Sequence, residues 1–263
     1  MQLHHQTLGQ GQPLILLHGL FGSADNWGSV AKHFSKNYQV ISVDLRNHGR
    51  SPHNESQSYT DMADDLLELC DALSLDRIYL LGHSLGGKVA MQFATRFPNR
   101  MEKLIVVDIA MRAYADAHTH LIDAMMAVEL KTLRSRTEVD KALSSAIPEV
   151  MVRQFLLMNL IKSGINQSEN GLTWRINLAA LKTNYPLLQQ AVCENAQNEK
   201  PCLFIRGEQS DYVQDADIEQ IKTLFTNAEF TSLPTGHWVH AEQPQAFIEV
   251  VENFLASEIP ISM

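Results

Sequence analysis

The chain has 263 residues, of which 45% are hydrophobic and 19% are charged, and its formal net charge is −9. This composition suits one globular domain with a full core and room for an insertion. The negative charge and the lack of a long Lys/Arg block argue against nucleic-acid binding, which depends on clustered cations.

The N-terminus, the hydrophobic runs and the cysteines bear on the cellular location. The N-terminus has no basic segment followed by an apolar one, and no run of 18 uncharged apolar residues occurs. We therefore expect a soluble, cytoplasmic protein without membrane insertion. The cysteines, Cys70, Cys193 and Cys202, are odd in number and widely spaced, so we interpret them as reduced packing residues.

Six short runs rich in leucine or β-branched residues predict strands. They are apolar on both faces, as buried parallel strands covered by helices are. They span residues 14–17, 40–43, 77–81, 103–107, 202–206 and 229–233.

Helical periodicity lies between these runs. An apolar face at Met62, Leu66 and Leu69 follows a capping-box pattern that begins at Ser58, and a last helix is predicted to start at Pro244. Alternating strands and helices predict an α/β fold with a doubly wound, mostly parallel sheet.

The strand signal disappears from about residue 111 to 195, where Met-, Leu- and Ala-rich helical segments are broken at Pro148. Some 85 residues are too many for a simple crossover between neighbouring strands. We expect a helical cap at 111–195, inserted into a core formed by 1–110 and 196–263.

Residues 80–87 read LLGHSLGG and raise the question of a serine between glycines directly behind a buried strand. The order of strand, G-x-S-x-G and helix is that of a nucleophile elbow. There the serine takes a strained backbone conformation, and its neighbours two residues away must be small. Ser84 is therefore the candidate nucleophile.

Four motifs in order carry a family resemblance. HGLFG at 18–22, DLRNHGRS at 44–51, the elbow at 82–86 and GHWVH at 236–240 together resemble the α/β-hydrolases, and among them the bacterial YbfF-type esterases. The resemblance extends from about residue 10 to the end of the chain. It implies the α/β-hydrolase fold with an inserted helical cap and a Ser-His-Asp triad.

The family pattern assigns the remaining triad members. His237, in the turn after the last strand, is implied as the base that activates the serine. The acid has two candidates. The usual family position is occupied by Ser210, and Asp211 is one residue out of register, whereas Asp108 ends a buried apolar strand and matches the YbfF-type position. We favour Asp108 because a charge there needs a partner.

The oxyanion hole is implied by the same turns. Backbone N–H groups of Leu85 and Leu20 are the expected donors, with Phe21 as the alternative to Leu20. The side chains of His18, His48, His83 and His240 are interpreted as structural, and His118 and His120 as a solvated surface pair. No metal ligand set is recognisable.

These roles predict a serine hydrolase, a carboxylesterase or thioesterase that acts on a small-molecule acyl ester or thioester and needs no cofactor. Substrate contacts are expected from cap and loop residues, namely Phe21, Met125, Phe155, Trp174 and Tyr185. The alternatives are a carbon–carbon bond hydrolase or lyase with the same triad, and a noncatalytic binding protein. The oligomeric state is not predicted.

Overall fold

The computed structural model describes residues 1–162, 171–193 and 197–257. The strands are β1 (His5–Leu8), β2 (Pro13–Leu17), β3 (Gln39–Val43), β4 (Ile78–His83), β5 (Met101–Val107), β6 (Leu160–Lys162), β7 (Leu172–Trp174), β8 (Cys202–Gly207) and β9 (Ala228–Leu233). Within the described residues, seven of them form one sheet in the order β1-β3-β2-β4-β5-β8-β9, and β6 and β7 form a separate hairpin. Every pairing in the large sheet is parallel except the one between β1 and β3.

The sheet is covered by helices on both faces. The helices are α1 (Gly28–Phe34), α2 (Tyr59–Ala72), α3 (Leu85–Arg96), α4 (Thr119–Ala127), α5 (Arg136–Leu143), α6 (Val150–Leu157), α7 (Leu178–Leu188), α8 (Asp215–Leu224), α9 (Val239–Glu242) and α10 (Pro244–Ala256). Neighbouring residues of β4 point to opposite faces, so Leu80 packs with α2 and α3 while Leu81 packs with α1 and α10. This explains why the central strands are apolar throughout, and the predicted fold class is confirmed.

The predicted helix starts are also confirmed. The Ser58 hydroxyl accepts a hydrogen bond from the Asp61 N–H at 3.0 Å, and the Asp61 carboxylate accepts one from the Ser58 N–H at 3.3 Å. These reciprocal bonds satisfy N–H groups that have no partner within the helix. The last helix begins at Pro244, whose missing N–H costs nothing at that position.

Three strands escaped the sequence prediction. Strand β1 lies at the sheet edge and has mostly exposed residues, so it lacks the apolar pattern of a buried strand. Strands β6 and β7 have three residues each, too few for a period of two to stand out. The expectation of an all-helical segment between 111 and 195 was therefore wrong at this hairpin.

The insertion lies between β5 and β8, and Lys88 of α3 joins its two ends. The Lys88 ammonium is buried and donates hydrogen bonds to the Arg112 carbonyl at 2.8 Å and the Gln190 carbonyl at 2.6 Å. The two connections also bond to each other, from the Tyr114 N–H to the Gln189 carbonyl. Residues 194–196 are outside the described part, so the expected boundary at 195 is not tested.

Candidate active site

Ser84 stands on the corner between β4 and α3. Its backbone has φ 53° and ψ −117°, a region that non-glycine residues rarely adopt. A Cβ on Gly82 would lie 2.2 Å from the Gly86 carbonyl oxygen, and one on Gly86 would lie 2.5 Å from that of Leu17. The two glycines are therefore required for the strand and helix to approach this closely, as a nucleophile elbow demands.

An imidazole and a carboxylate from two other segments form a hydrogen-bonded pair in the site. His237 Nδ1 lies 2.7 Å from Oδ2 of Asp108, which is fully buried and follows the last residue of β5. A carboxylate accepts here, so Nδ1 carries a proton, and in the neutral ring Nε2 then keeps its lone pair. His237 and Ser84 line the same cavity. This pair is the geometry that a serine-activating base needs.

Asp108, rather than Asp211, is the carboxylate beside His237. Asp108 also accepts hydrogen bonds from the Gly207 N–H at 2.9 Å and from the Ser210 hydroxyl. Ser210, at the position where the family usually has its acid, thus bonds to the carboxylate at the end of the neighbouring strand. Asp211 is exposed, and its backbone carbonyl accepts from Arg112.

Two residues with no predicted contact to His237 hold this side chain and its loop. The Tyr212 ring stacks on the imidazole, with centroids 3.8 Å apart and planes 17° apart. His83 Nε2 lies 2.9 Å from the His237 carbonyl oxygen and donates to it. Burial holds the pKa of His83 well below its usual range, so it remains a neutral donor. The sequence analysis interpreted His83 as structural without naming its partner and did not consider Tyr212.

The predicted oxyanion donors lie around Ser84. Leu85 is the first residue of α3, and its N–H has no partner within the helix. In the described residues, neither Leu20 nor Phe21 donates its N–H to another protein group. The N–H groups of Leu20 and Phe21 are therefore both available as the second donor.

The loop at residues 19–22, which we call the oxyanion loop because it carries the predicted donors Leu20 and Phe21, is held by contacts from the core. His18 Nδ1 donates to the Gly19 carbonyl at 2.8 Å, and its Nε2 accepts from the Leu45 N–H at 3.0 Å. This pattern requires the neutral imidazole, and burial lowers the pKa of His18 to about 4. His18 thus acts as a structural link between the ends of β2 and β3.

The cap supplies a second brace that sequence reasoning missed. The buried Asn159 side chain donates a hydrogen bond to the Phe21 carbonyl at 2.8 Å. Phe21 has φ 63°, an unfavourable conformation for a bulky residue that surrounding contacts must maintain. Asn159 lies between α6 and the β6–β7 hairpin and carries no motif, so only the three-dimensional contact reveals it.

Two cavities adjoin Ser84, with volumes of about 880 and 340 Å³. Of the five predicted substrate contacts, Phe21 and Phe155 line the larger cavity and Tyr185 lines the smaller one. Met125 and Trp174 line neither of these two cavities. The Trp174 indole N–H donates to the Met125 carbonyl at 3.0 Å, and both side chains pack within the cap.

The prediction that His118 and His120 form a solvated surface pair is wrong for His118. Its Nδ1 is 2.8 Å from the Tyr185 hydroxyl, and the residue lines both cavities. Burial lowers its pKa to about 4. His120 is exposed at the larger cavity.

The described residues contain no cluster of metal-ligating side chains, and none of their helices has the length and apolarity to cross a bilayer.

Comparison with known proteins decides the family. Residues 12–244 match the family model described as the alpha/beta hydrolase fold. The chain belongs to the α/β-hydrolase family. It is 39% identical to the mouse (Mus musculus) sn-1-specific diacylglycerol lipase ABHD11, covering 92% of this chain and 80% of that one.

Two further relatives bear on the predicted resemblance. The chain is 32% identical to the Escherichia coli K12 esterase YbfF over 95% of this chain and 94% of that protein. A solved marine microorganism esterase superposes with a TM-score of 0.91 at 38% identity, over 96% of this chain and 99% of that one. The resemblance to YbfF-type α/β-hydrolases is thereby confirmed, and the homologues support a hydrolase of the esterase and lipase group.

Proposed function

We propose that the protein hydrolyses carboxylic esters through a Ser84-His237-Asp108 triad and an acyl-enzyme intermediate. The observation that carries this proposal is the 2.7 Å contact between His237 Nδ1 and Asp108, in a site where His237 shares a cavity with a serine on a strained elbow. A serine hydroxyl is a weak nucleophile until an oriented base accepts its proton. The pair with Asp108 orients that base.

In the acylation step, Ser84 Oγ attacks the ester carbonyl carbon while His237 Nε2 takes its proton. The carbonyl oxygen becomes an oxyanion, which the Leu85 N–H and a second amide, of Leu20 or of Phe21, stabilise. Asp108 stabilises the imidazolium formed at this point and itself stays ionised. His237 then protonates the leaving alcohol, and the carbon–oxygen bond to it breaks.

In the deacylation step, water replaces the alcohol. His237 accepts a proton from that water, which attacks the acyl carbonyl, and the same amides hold the second oxyanion. Collapse of this intermediate returns the proton to Ser84 and releases the carboxylic acid. No step needs a metal or an organic cofactor.

The substrate class rests on the relatives' names as well as on the site. The relatives described above are named as esterases and a diacylglycerol lipase, so we propose a small-molecule acyl ester as the substrate. A thioester can undergo the same two steps with a thiol as the leaving group, so an acyl thioester is the alternative substrate. We also propose that the protein is cytoplasmic.

A substrate panel tests this function directly. We expect the purified protein to hydrolyse p-nitrophenyl esters, and Ser84→Ala to lower kcat by about 10⁶-fold, as removal of a triad nucleophile does elsewhere. Acyl thioesters measured in parallel decide between the two leaving-group classes. A Ser84→Ala variant with wild-type rates would refute the assignment.

A further inference from the structure

The two cavities beside Ser84 share part of their lining. Both are lined by Leu20, Ser84, Ala117, His118 and Tyr212, so they meet at the proposed nucleophile. The larger has a volume of about 880 Å³ and the smaller about 340 Å³. An ester bound at Ser84 extends from its carbonyl carbon in two directions, as the acyl chain and as the alcohol that leaves. Each cavity offers space for one of these two groups.

The catalytic groups are distributed unequally between the cavities. His237 lines the larger cavity and is absent from the lining of the smaller one, whereas Leu85 lines only the smaller one. His237 must reach the oxygen of the leaving group in order to protonate it. The leaving group therefore has to lie on the side of the site where His237 is exposed.

From this asymmetry we propose that the larger cavity binds the leaving group and the smaller cavity binds the acyl chain; the inference rests on the proposed function. In the tetrahedral intermediate, the carbonyl carbon is bonded to Ser84 Oγ, the oxyanion, the leaving oxygen and the acyl carbon. With the oxyanion at the amides and the leaving oxygen at His237, the acyl carbon points into the cavity beyond Leu85.

The chemistry of the smaller cavity selects an unsubstituted aliphatic acyl chain. Its hydrocarbon lining includes Leu20, Ile109 and Leu188. Several of the polar groups around it are already engaged within the protein. Tyr59 donates its hydroxyl proton to the Leu188 carbonyl and Tyr114 to the Tyr212 carbonyl, both at 2.6 Å.

Three further polar groups of this cavity are engaged in the same way. The Tyr185 hydroxyl is hydrogen-bonded to His118, the Lys88 ammonium donates to two backbone carbonyls of the cap connections, and the Arg112 guanidinium is paired with the Asp217 carboxylate. A charged or hydroxylated acyl chain would lose hydration against the hydrocarbon lining and these engaged groups without gaining comparable partners. The acyl group is therefore short to medium in length and aliphatic, because the cavity is less than half the volume of its neighbour.

A pair of matched substitutions tests the assignment. Leu188→Phe narrows the smaller cavity, and Val152→Phe, in helix α6, narrows the larger one. Two ratios of kcat/KM are measured on the full-length protein. The octanoate-to-acetate ratio compares p-nitrophenyl octanoate with p-nitrophenyl acetate and varies only the acyl chain. The second ratio compares octyl acetate with ethyl acetate and varies only the alcohol. Ala115→Phe, at an exposed residue of the smaller cavity, replaces Leu188→Phe if that variant does not fold.

We expect Leu188→Phe to lower the octanoate-to-acetate ratio about tenfold and to leave the ratio of octyl acetate to ethyl acetate near its wild-type value. Val152→Phe should lower the ratio of octyl acetate to ethyl acetate about tenfold and leave the octanoate-to-acetate ratio unchanged. A tenfold change is the size of discrimination that an apolar pocket gives between substrates of different chain length. Exchanged effects, equal effects on both ratios, or no effect in either variant would overturn the cavity assignment. A wild-type protein that cleaves none of these esters would instead overturn the proposed function.

Discussion

The sheet side and the cap side of the site are built in different ways. On the sheet side, Ser84 and Asp108 lie directly at the ends of β4 and β5, and His237 follows β9 on a short turn. On the cap side, Asn159 and His118 reach the site through contacts between segments more than 60 residues apart. The comparison teaches that strand ends position the proposed chemistry, while the cap shapes the cavities and braces the oxyanion loop.

After the loss of Ser84 itself, the largest expected effect also concerns the sheet side. We predict that Asp108→Asn lowers kcat about 10⁴-fold, because an amide cannot hold the imidazole in the required tautomer or stabilise its cation. Steady-state hydrolysis of a p-nitrophenyl ester measures the loss.

Asp211→Asn is the matched control for this prediction. Asp211 is exposed and has no hydrogen bond to His237 in the described structure, so we expect less than a threefold change. If Asp211→Asn proved the more damaging of the two variants, the assignment of the acid would be reversed.

The second prediction concerns the buried imidazoles of the sheet side. Burial lowers the pKa of His18 and His240 to about 4 and of His48 to about 3, whereas the unfolded chain takes up these protons near pH 6.5. The unfolded state therefore binds more protons in this window, and stability is lost as the pH falls from 6.5 towards 4.

Each such group contributes at most about 3 kcal/mol to this loss. Urea denaturation at a series of pH values measures it. His240→Phe removes one titrating ring that packs against Trp27, and we expect it to flatten the dependence in part. A free energy of unfolding that stays constant between pH 6.5 and 4.5 would contradict the neutral state of these rings.

The third prediction sharpens the role of the cap. We expect Asn159→Ala to lower kcat tenfold to a hundredfold with a smaller change in KM, because the Phe21 carbonyl loses its buried partner and the oxyanion loop its geometry. The loss should stay below that for removal of a donor itself, about 10²–10³.

Asn184→Ala serves as the control, since Asn184 is another buried cap amide that donates to a core carbonyl, that of Glu55 at 2.7 Å, away from the oxyanion loop. Both variants lose a buried hydrogen bond and some stability. Equal losses of kcat in the two would show that Asn159 contributes only to packing.

The smallest expected effect concerns Ser210. Its hydroxyl donates to the Asp108 carboxylate, and a hydrogen bond to a charged group contributes about 1.5–3 kcal/mol. Gly207 and His237 still bond to this carboxylate in Ser210→Ala, so we expect the low end, about a tenfold loss of kcat/KM, with rescue by Ser210→Thr. A pH–rate profile unchanged from wild type in both position and height would argue against this support.

The same division explains what the sequence could predict. Six of the described strands and the elbow follow from local patterns, because strand ends and tight turns constrain the neighbouring residues. The base and the pair of acid candidates come from the family resemblance. Asn159, Tyr212 and the contact between Ser210 and Asp108 depend on segments brought together by folding, and no local period marks them. Met125 and Trp174 show the same limit, since an apolar residue of the cap is equally suited to a cavity wall and to the cap interior.

The most direct test of the central proposal is the site of covalent labelling by a fluorophosphonate, located by peptide mass spectrometry on the folded wild-type protein. An activated serine on the elbow predicts one stoichiometric adduct on Ser84, with labelling slowed by orders of magnitude in Asp108→Asn. Ester hydrolysis by a protein that carries the adduct on another residue, or takes up no label, would contradict the account.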